Sequence, residues 1–255
     1  MIGYGKMGHM IKEIAEKRGN EVSTIDSFDK SADFFAQTPS EVALAVKKSG
    51  ADVAIDFTHP NSVLGNMKAV LPTGVPLVVG TTGWYDKMSE VEKLVKDSNG
   101  SLFWAGNFSI GVNMFYRIVE TAARLMSQYE EYDVAIWEAH HNQKADSPSG
   151  TALEIARRVM SQMSSKTEIV DDAFRTKPLP NQLHVSSTRI GMTPGTHKVF
   201  FDSPADTIEL THTVRNREGL ATGAVRAAEW LFEGLQSEKL SKGQIFTMDD
   251  LLSDV

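Results

Sequence analysis

The first hundred residues alternate between helical and extended hydrophobic patterns. Apolar residues recur at helical spacing from Met7 to Ala15 and stop at Gly19, and a short β-type run from Val22 to Ile25 ends at Asp26. Later segments repeat this alternation, with helices predicted at 42–46, 61–71 and 86–98 and strands at 53–57, 76–79 and 101–104. Short, nearly all-apolar strands separated by helices indicate βαβ units with a parallel sheet covered on both faces. The pattern therefore predicts a doubly wound, Rossmann-like α/β domain.

From about Ile110 the pattern no longer alternates regularly. It predicts a long helix at 110–125, a strand at 132–139, a polar loop, a helix at 151–163, strands at 196–201 and 207–214, and a last helix at 219–235. The two late strands are joined across 203–206 by residues typical of a turn, which favours an antiparallel hairpin. This half is therefore predicted to be an α+β domain.

Composition narrows the class of protein. The 255 residues are 41% hydrophobic and 23% charged, which is typical of a soluble globular protein with one or two domains. The formal net charge of -7 argues against a nucleic acid or an anionic membrane held by bulk charge. The absence of cysteine excludes disulfides, thiolate zinc sites, iron–sulfur clusters and cysteine nucleophiles. With no apolar stretch near the roughly 20 residues of a membrane span, and no signal-peptide pattern, a cytoplasmic location is predicted.

A glycine fingerprint opens the chain and predicts a dinucleotide site. The G-x-G-x-x-G motif comprises Gly3, Tyr4, Gly5, Lys6, Met7 and Gly8, and it leads into the first predicted helix. Backbone amides at such a helix start hold a pyrophosphate, and an acidic residue at the end of the next strand binds ribose hydroxyls. Asp26 stands 18 residues after Gly8, close to the expected spacing. Only two residues precede the first glycine, where a strand of about five is usual, so we expect a truncated or renumbered amino terminus.

The same acidic residue bears on the choice of cofactor. Asp26 repels a 2′-phosphate, and Ser27 supplies no neighbouring guanidinium, so NADH is the preferred cofactor and NADPH stays possible. Lys6 or Lys30 would have to meet the extra phosphate, although each is also explained as a solvated surface lysine.

The richest segment for chemistry runs from Trp137 to Ala152. It places His140, His141 and Lys144 just before Pro148 and a helix start. Amides and hydroxyls at Ser149, Gly150 and Thr151, ahead of an amphipathic helix, form an anion site suited to a carboxylate. The alternative explanation is an ordinary helix cap with solvent-facing histidine and lysine, but the concentration of these residues favours a functional site.

This segment closely resembles the E-x-H-H-x-x-K-x-D-x-P-S-G-T-A signature of the dihydrodipicolinate reductase family, enzymes of diaminopimelate and lysine biosynthesis. Further blocks similar to that family occur in order along the chain, at 52–60, 80–83, 107–113, 189–197 and 212–224. The departures are the short amino terminus, Gly106 where proline is common and Ser147 where alanine is common.

The resemblance implies roles for individual residues. It implies reduction of 4-hydroxy-tetrahydrodipicolinate, an unsaturated ring dicarboxylate, by NAD(P)H, with Lys144 as proton donor and His140 as its catalytic partner. The implied ligands of the substrate carboxylates are His141, Lys144, Ser149, Gly150 and Thr151. The implied contacts of the nicotinamide and its ribose are Gly80, Thr81, Thr82, Ala105, Gly106, Asn107 and Phe108.

The resemblance also implies an organisation. It places a dinucleotide-binding domain at 1–108 and 217–255 and a substrate-binding and tetramerisation domain at 109–216. It further implies a homotetramer and closure of a cleft between the domains, with Arg217 near the hinge; a structural ion pair is an equal alternative for Arg217.

Other observations limit the chemistry. Five scattered histidines without a local constellation are assigned none: His9, His59, His184, His197 and His212. No metal site is predicted, because adjacent His140 and His141 on a strand point to opposite faces. Two alternatives stay open: another two-domain dehydrogenase acting on an amino acid or a polyol, and a non-catalytic NAD(H)-sensing protein of the same fold. We expect no nucleic acid or membrane partner.

Overall fold

The computed structural model describes residues 1–253, which separate into two compact units. The first comprises Met1–Ile110 together with the segment that begins at Glu218, and the second is Gly111–Arg217. The sequence-based boundaries, after residues 108 and 216, differ from these by two residues and one residue.

The first unit is built from short strands and helices in alternation. Its strands are β1 (Ile25–Asp26), β2 (Phe34–Phe35), β3 (Ala54–Asp56), β4 (Leu77–Val79) and β5 (Leu102–Trp104). Its helices are α1 (Lys6–Lys17), α2 (Pro39–Ser49), α3 (Pro60–Val70) and α4 (Met88–Ser98), with 3₁₀ turns at Leu71–Thr73 and Tyr85–Lys87. The last turn lies in what was predicted as the start of a helix at 86.

The second unit contains longer elements, and the chain then returns to the first. In order these are α5 (Ile110–Met126), β6 (Asp133–His140), α6 (Gly150–Gln162), β7 (Glu168–Val170), β8 (Gln182–Arg189), β9 (Thr196–Asp202) and β10 (Thr207–Thr213). The returning elements are α7 (Glu218–Gln236), β11 (Ile245–Phe246) and α8 (Met248–Leu251).

The sheet of the first unit is parallel, as the βαβ pattern predicts. Strands β11, β5, β4 and β3 are paired in that order, and β1 pairs with β2. Ile2 lies between the two groups and bridges Ile25 and Asp56 in parallel. The strand predicted at 22–25 is observed as the two residues Ile25–Asp26. These residues pair with β2, and Ile25 is also bridged by Ile2. The carboxyl ends of β1, β3 and β4 therefore share one edge of the sheet.

The second unit has a mixed sheet with β6 at its centre. The strand order is β10-β9-β6-β8-β7; β6 is antiparallel to β9 and parallel to β8. Inward-facing residues such as Ile136 and Val199 form a core with α5 and α6, whereas Trp137 and Phe200, on the alternate positions, are half-buried. The α+β prediction is correct, but β7 and β8 were not predicted. The β8 sequence QLHVSSTR has two buried apolar residues and polar ends, so its strand character comes from pairing with β6 and β7.

No helix among the described residues is both long enough and apolar enough to cross a membrane.

Candidate active site

The three glycines of the fingerprint have different surroundings. Gly3 has a φ of +86°, and a Cβ there would lie 2.4 Å from the Phe57 carbonyl oxygen. A Cβ at Gly8 would lie 2.2 Å from the Gly3 carbonyl oxygen. At Gly5, by contrast, no described atom lies within 4 Å of such a Cβ, and the residue caps α1 without a side chain. Gly3 and Gly8 therefore permit the fold, while Gly5 leaves open space at the positive end of α1 for an anion.

The other fingerprint residues surround this helix start. The Tyr4 ring stacks on His9 with centroids 3.8 Å apart, Lys6 is exposed, and Met7 faces a cavity of about 220 Å³.

Asp26 lies at the end of β1, where the spacing predicted an acidic residue. Its carboxylate accepts backbone hydrogen bonds from Tyr4 at 2.6 Å, Phe28 at 2.7 Å and Asp29 at 2.8 Å. Burial alone would raise the pKa of the carboxyl, but these amides outweigh it and lower that pKa. A charged carboxylate is thus held beside the glycine loop.

The segment Gly80 to Thr82 lines the same cavity as Met7. Gly80 packs so closely on the Phe57 ring that a Cβ would lie 2.1 Å from it. Thr81 is buried and its hydroxyl donates to Asp56 at 2.9 Å, whereas Thr82 is exposed. Thr82 is therefore the residue of this segment whose side chain is exposed.

Asp56 is a functional candidate that sequence reasoning did not identify. It is fully buried at the end of β3 and accepts hydrogen bonds from Thr58, Asn66 and Thr81. Burial raises the pKa of its carboxyl, since these neutral donors only partly offset the loss of water. Asp56 thereby ties the ends of β3 and β4 together beneath the cavity.

Residues 105–108 follow β5. Ala105 and Phe108 are buried, Asn107 is half-buried and Gly106 is exposed. The Phe108 ring packs between Phe57 and Phe103, so this residue has only its backbone to offer a ligand.

In the second unit, β6 places Glu138 and His140 on one face of the sheet. Alternation along the strand puts both in line with Ile136, and both are buried. The prediction that His141 lies on the strand and points to its opposite face is wrong. The strand ends at His140, and His141 lies in the following loop.

The loop after β6 holds the predicted lysine. The Lys144 amide donates to the His141 carbonyl at 3.1 Å, and its ammonium pairs with Asp146 at 2.7 Å. Burial of Asp146 would raise the pKa of this carboxyl, but the lysine partner lowers it. The loop therefore offers a positive charge already held by one carboxylate.

The three residues at the start of α6 differ in what they offer. Ser149 is buried; its amide donates to Glu138 at 3.0 Å, its hydroxyl donates to the same carboxylate, and its oxygen accepts the Ala152 amide at 3.1 Å. In this structure both donors are engaged with Glu138, and a contact of Ser149 with a substrate carboxylate stays a prediction. Gly150 is exposed and Thr151 half-buried, so their amides at the helix start are the groups open to an anion.

His197 was expected to be isolated, and the structure corrects this. Its ring lies 5.1 Å from that of His140, its Nε2 lies 3.3 Å from the Ser149 hydroxyl oxygen, and it faces Glu138 across the β6–β9 pairing. Burial lowers the pKa of His197, which keeps the ring neutral near neutral pH.

Glu138, His140 and His197 also bring potential metal ligands within 4.8 Å of one another. However, Glu138 already accepts hydrogen bonds from Ser149, Ser187 and the Arg189 guanidinium. A guanidinium at 3.0 Å repels a cation, so the cluster fits a hydrogen-bonded network better than a metal centre.

A parallel α/β unit with a glycine fingerprint, joined to a mixed unit that carries a histidine–lysine loop, defines a two-domain NAD(P)-dependent oxidoreductase. Comparisons with known proteins specify the family. Residues 1–108 match the family model described as dihydrodipicolinate reductase, N-terminus, and residues 111–252 match dihydrodipicolinate reductase, C-terminus. The chain belongs to the dihydrodipicolinate reductase family, which confirms the resemblance read from its motifs.

Curated relatives and a solved structure agree with this assignment. The chain is 36% identical to 4-hydroxy-tetrahydrodipicolinate reductase of Christiangramia forsetii over 100% of this chain and 97% of the relative. It is 38% identical to that of Archaeoglobus fulgidus, over 81% and 78% of the two chains. A dipicolinate-bound dihydrodipicolinate reductase from Paenisporosarcina sp. TG-14 has the same fold, with a TM-score of 0.73, 21% identity and coverage of 98% and 97%.

Proposed function

We propose that the chain catalyses the NAD(P)H-dependent reduction of 4-hydroxy-tetrahydrodipicolinate to tetrahydrodipicolinate in diaminopimelate and lysine biosynthesis. Family membership supports the reaction. The observation that carries the assignment to this chain's residues is that His140, His141, Lys144 and the start of α6 follow one another at the end of β6. This local concentration of donors suits a ring dicarboxylate in a protein whose net charge is -7.

The first unit is proposed to hold the dinucleotide, which when bound supplies the hydride. The open space at Gly5 and the free end of α1 fit a pyrophosphate, with Gly3, Tyr4, Lys6, Met7 and Gly8 around it. Gly80, Thr81, Thr82, Ala105, Gly106, Asn107 and Phe108 are proposed to contact the nicotinamide and its ribose. Most of these contacts use the backbone, because Thr81 and Phe108 have buried side chains.

The second unit is proposed to hold the substrate. Lys144, His141 and Ser149, with the amides of Gly150 and Thr151, bind the carboxylates, and Ser149 also fixes the helix start. Reduction leaves negative charge on the ring-nitrogen side, and Lys144 donates the proton there with His140 as its catalytic partner.

NADH is the proposed preferred cofactor. The Asp26 carboxylate stays charged beside the glycine loop, where it accepts ribose hydroxyls and repels a 2′-phosphate. Lys6 is an exposed lysine of the glycine fingerprint, which leaves room for NADPH as the second cofactor.

The first test is the oxidation of NADH, and separately of NADPH, with substrate made in situ from pyruvate and aspartate semialdehyde by the preceding synthase. Oxidation supports the reductase, and a higher rate with NADH supports the role of Asp26. An Asp26→Asn variant should narrow the difference between the two cofactors; an unchanged ratio would contradict that role.

The proton donor is tested by Lys144→Met. We expect turnover to collapse while NADH binding, measured by calorimetry, stays intact. Lys177→Met, at an exposed lysine of the same unit, is the matched control. Retained turnover in the Lys144→Met variant would contradict the assignment of Lys144 as the proton donor.

The alternative function is a non-catalytic NAD(H)-sensing protein of the same fold, and no feature of the described residues favours it. Pyridine-2,6-dicarboxylate, a planar analogue, should compete with substrate if the reductase assignment is right. Tight NADH binding with no dicarboxylate site would support the sensing protein instead.

A homotetramer acting in the cytoplasm completes the proposal. The face of the second unit's sheet opposite α5 and α6 leaves Trp137 and Phe200 half-buried, which suits an interface between copies of the chain.

Arg217, the last residue of the second unit, stands where a hinge is expected.

A further inference from the structure

Glu138 occupies the centre of the second unit's sheet. Its Cα partners are Ser187 on β8 and His197 on β9, and it is 0% exposed. A carboxylate removed from water costs free energy unless several donors satisfy it. The positions of those donors show what this residue holds together.

One carboxylate oxygen connects Glu138 to the loop after β6. Its Oε1 accepts a hydrogen bond from Arg189 Nη2 at 3.0 Å and from the Ser187 hydroxyl at 3.0 Å. The same guanidinium donates to the backbone carbonyls of Lys144, at 3.3 Å, and of Asp146. Arg189 therefore links the buried carboxylate directly to the backbone of the segment that carries Lys144.

Both oxygens of Glu138 connect it to the start of α6. The Ser149 amide donates to Oε1 at 3.0 Å and the Ser149 hydroxyl donates to Oε2, while the hydroxyl oxygen caps the helix at Ala152. His140 Nδ1 lies 3.3 Å from Oε2 and His197 Nε2 lies 3.5 Å from it. The Glu138 side chain thus contacts His140 and Ser149 directly and reaches the loop that carries Lys144 through Arg189.

The charge of Glu138 is matched to these neighbours. Burial would raise the pKa of its carboxyl, but hydrogen bonds from His140, His197 and Ser149 hold that pKa well below its usual range. The ionised carboxylate, which can accept hydrogen bonds from all of these donors, is therefore the favoured form.

We propose that Glu138 is a positioning residue that, through Arg189 and Ser149, holds the Lys144 loop and the first turn of α6 in one arrangement around His140. This inference rests on the proposed function, since that function makes Lys144, His140 and α6 the substrate contacts. Glu138 itself is not proposed to touch substrate.

Two variants test this arrangement without emptying the core. Glu138→Gln keeps one carbonyl oxygen and the side-chain volume but removes the charge, and Arg189→Lys keeps the charge but loses the fork that reaches two carbonyls. In each we expect kcat/KM to fall by at least about tenfold and pyridine-2,6-dicarboxylate binding to weaken by a similar factor. NADH affinity should stay within about twofold, because the first unit is unchanged.

Hydrogen exchange distinguishes positioning from general stability. Amides between His141 and Thr151 should exchange faster in both variants, with the core of α5 unaffected. Glu120→Gln is the matched control: it removes a partly buried carboxylate that pairs with Arg158 at 3.0 Å in the same unit. It should change stability without changing kcat/KM or exchange in the loop.

Because breaking the ion pair between the buried Glu138 and the partly buried Arg189 can prevent folding, Ser187→Ala provides a milder variant. It removes one hydroxyl donor to Glu138 Oε1 and should weaken dicarboxylate binding by about threefold. Variants that melt at lower temperature yet keep wild-type dicarboxylate affinity and loop exchange would overturn the inference. Failure of the wild type to oxidise NADH would instead overturn the proposed reaction, because dicarboxylate affinity and exchange are read without turnover.

Discussion

At the scale of single residues, two fully buried carboxylates show how surroundings decide chemistry. Asp56 and Glu138 are both 0% exposed, but burial raises the pKa of Asp56 whereas the pKa of Glu138 is lowered. Burial opposes the charged form of both carboxyls, and the hydrogen bonds that Asp56 accepts from Thr58, Asn66 and Thr81 only partly offset it. At Glu138 the hydrogen bonds from His140, His197 and Ser149 outweigh burial, so the carboxylate form is favoured there.

Gly195 is predicted to protect the position of His140. A Cβ at this residue would lie 3.0 Å from His140 Nε2, and its φ of +154° disfavours other residues. Gly195→Ala should lower kcat/KM by about tenfold or more by displacing the ring, with thermal stability reduced by about 1 kcal/mol. Steady-state kinetics and thermal unfolding check this prediction.

The control is Gly74→Ala. Gly74 has a φ of +84° with no described atom within 4 Å of its Cβ position, so it carries backbone strain without a site contact. Equal losses of kcat/KM in the two variants would show that strain, rather than the His140 contact, explains the effect.

His212 is predicted to make the protein less stable in mild acid. Burial lowers the pKa of His212, with a smaller contribution from His197, so the unfolded chain binds the proton first as pH falls. The free energy of unfolding that the neutral His212 side chain contributes is fully present above the pKa of about 6.5 in the unfolded chain. It is lost as the pH falls below that value. His212→Leu should therefore lose less stability than wild type between about pH 7.5 and 5.5.

Thermal unfolding at several pH values measures this slope. His9→Asn, at an exposed histidine of the first unit, is the comparison variant. A slope in His212→Leu as steep as in wild type would assign the acid sensitivity to other groups.

At the scale of elements, two glycines at the start of α1 are predicted to have different roles, Gly8 in folding and Gly5 in cofactor binding. Gly8→Ala places a Cβ 2.2 Å from the Gly3 carbonyl and should lower the thermal midpoint, with a cost of about 2 kcal/mol or more. Gly5→Ala meets no described atom within 4 Å and should leave the midpoint nearly unchanged. It should nevertheless weaken NADH binding by about tenfold, because the methyl group enters the space proposed for the pyrophosphate.

These two variants control for each other when melting temperature and NADH affinity are measured together. A Gly5→Ala protein that melts early, or that binds NADH normally, would contradict the division of roles.

Elements were predicted well where their own periodicity defines them. The helix predicted at 110–125 is observed as Ile110–Met126, and the helix predicted at 219–235 as Glu218–Gln236. In contrast, β8 and the two-residue β2 were not predicted, because their strand pairing depends on neighbours distant in sequence.

At the scale of the whole molecule, the open face of the second unit's sheet is predicted to carry the tetramer. Phe200→Asp places a charge among half-buried residues of β6 and β9 and should convert a tetramer into smaller species. Light scattering at working concentration gives the mass directly. Asp171→Asn, at an exposed position outside the strands, should leave the mass unchanged. A monomeric mass for the wild-type protein would contradict the proposed tetramer interface.

Local patterns along the chain were enough to predict the two-part architecture, the glycine fingerprint, Asp26, and the His140–Thr151 segment with its family. These are local signals: a period of two or 3.6 residues, or a motif whose members adjoin along the chain. The contacts among Glu138, Arg189 and His197 became visible in the folded structure, because these residues lie on the paired strands β6, β8 and β9. Strand order and register bring residues about 50 positions apart into hydrogen-bond contact, and no local pattern encodes that pairing.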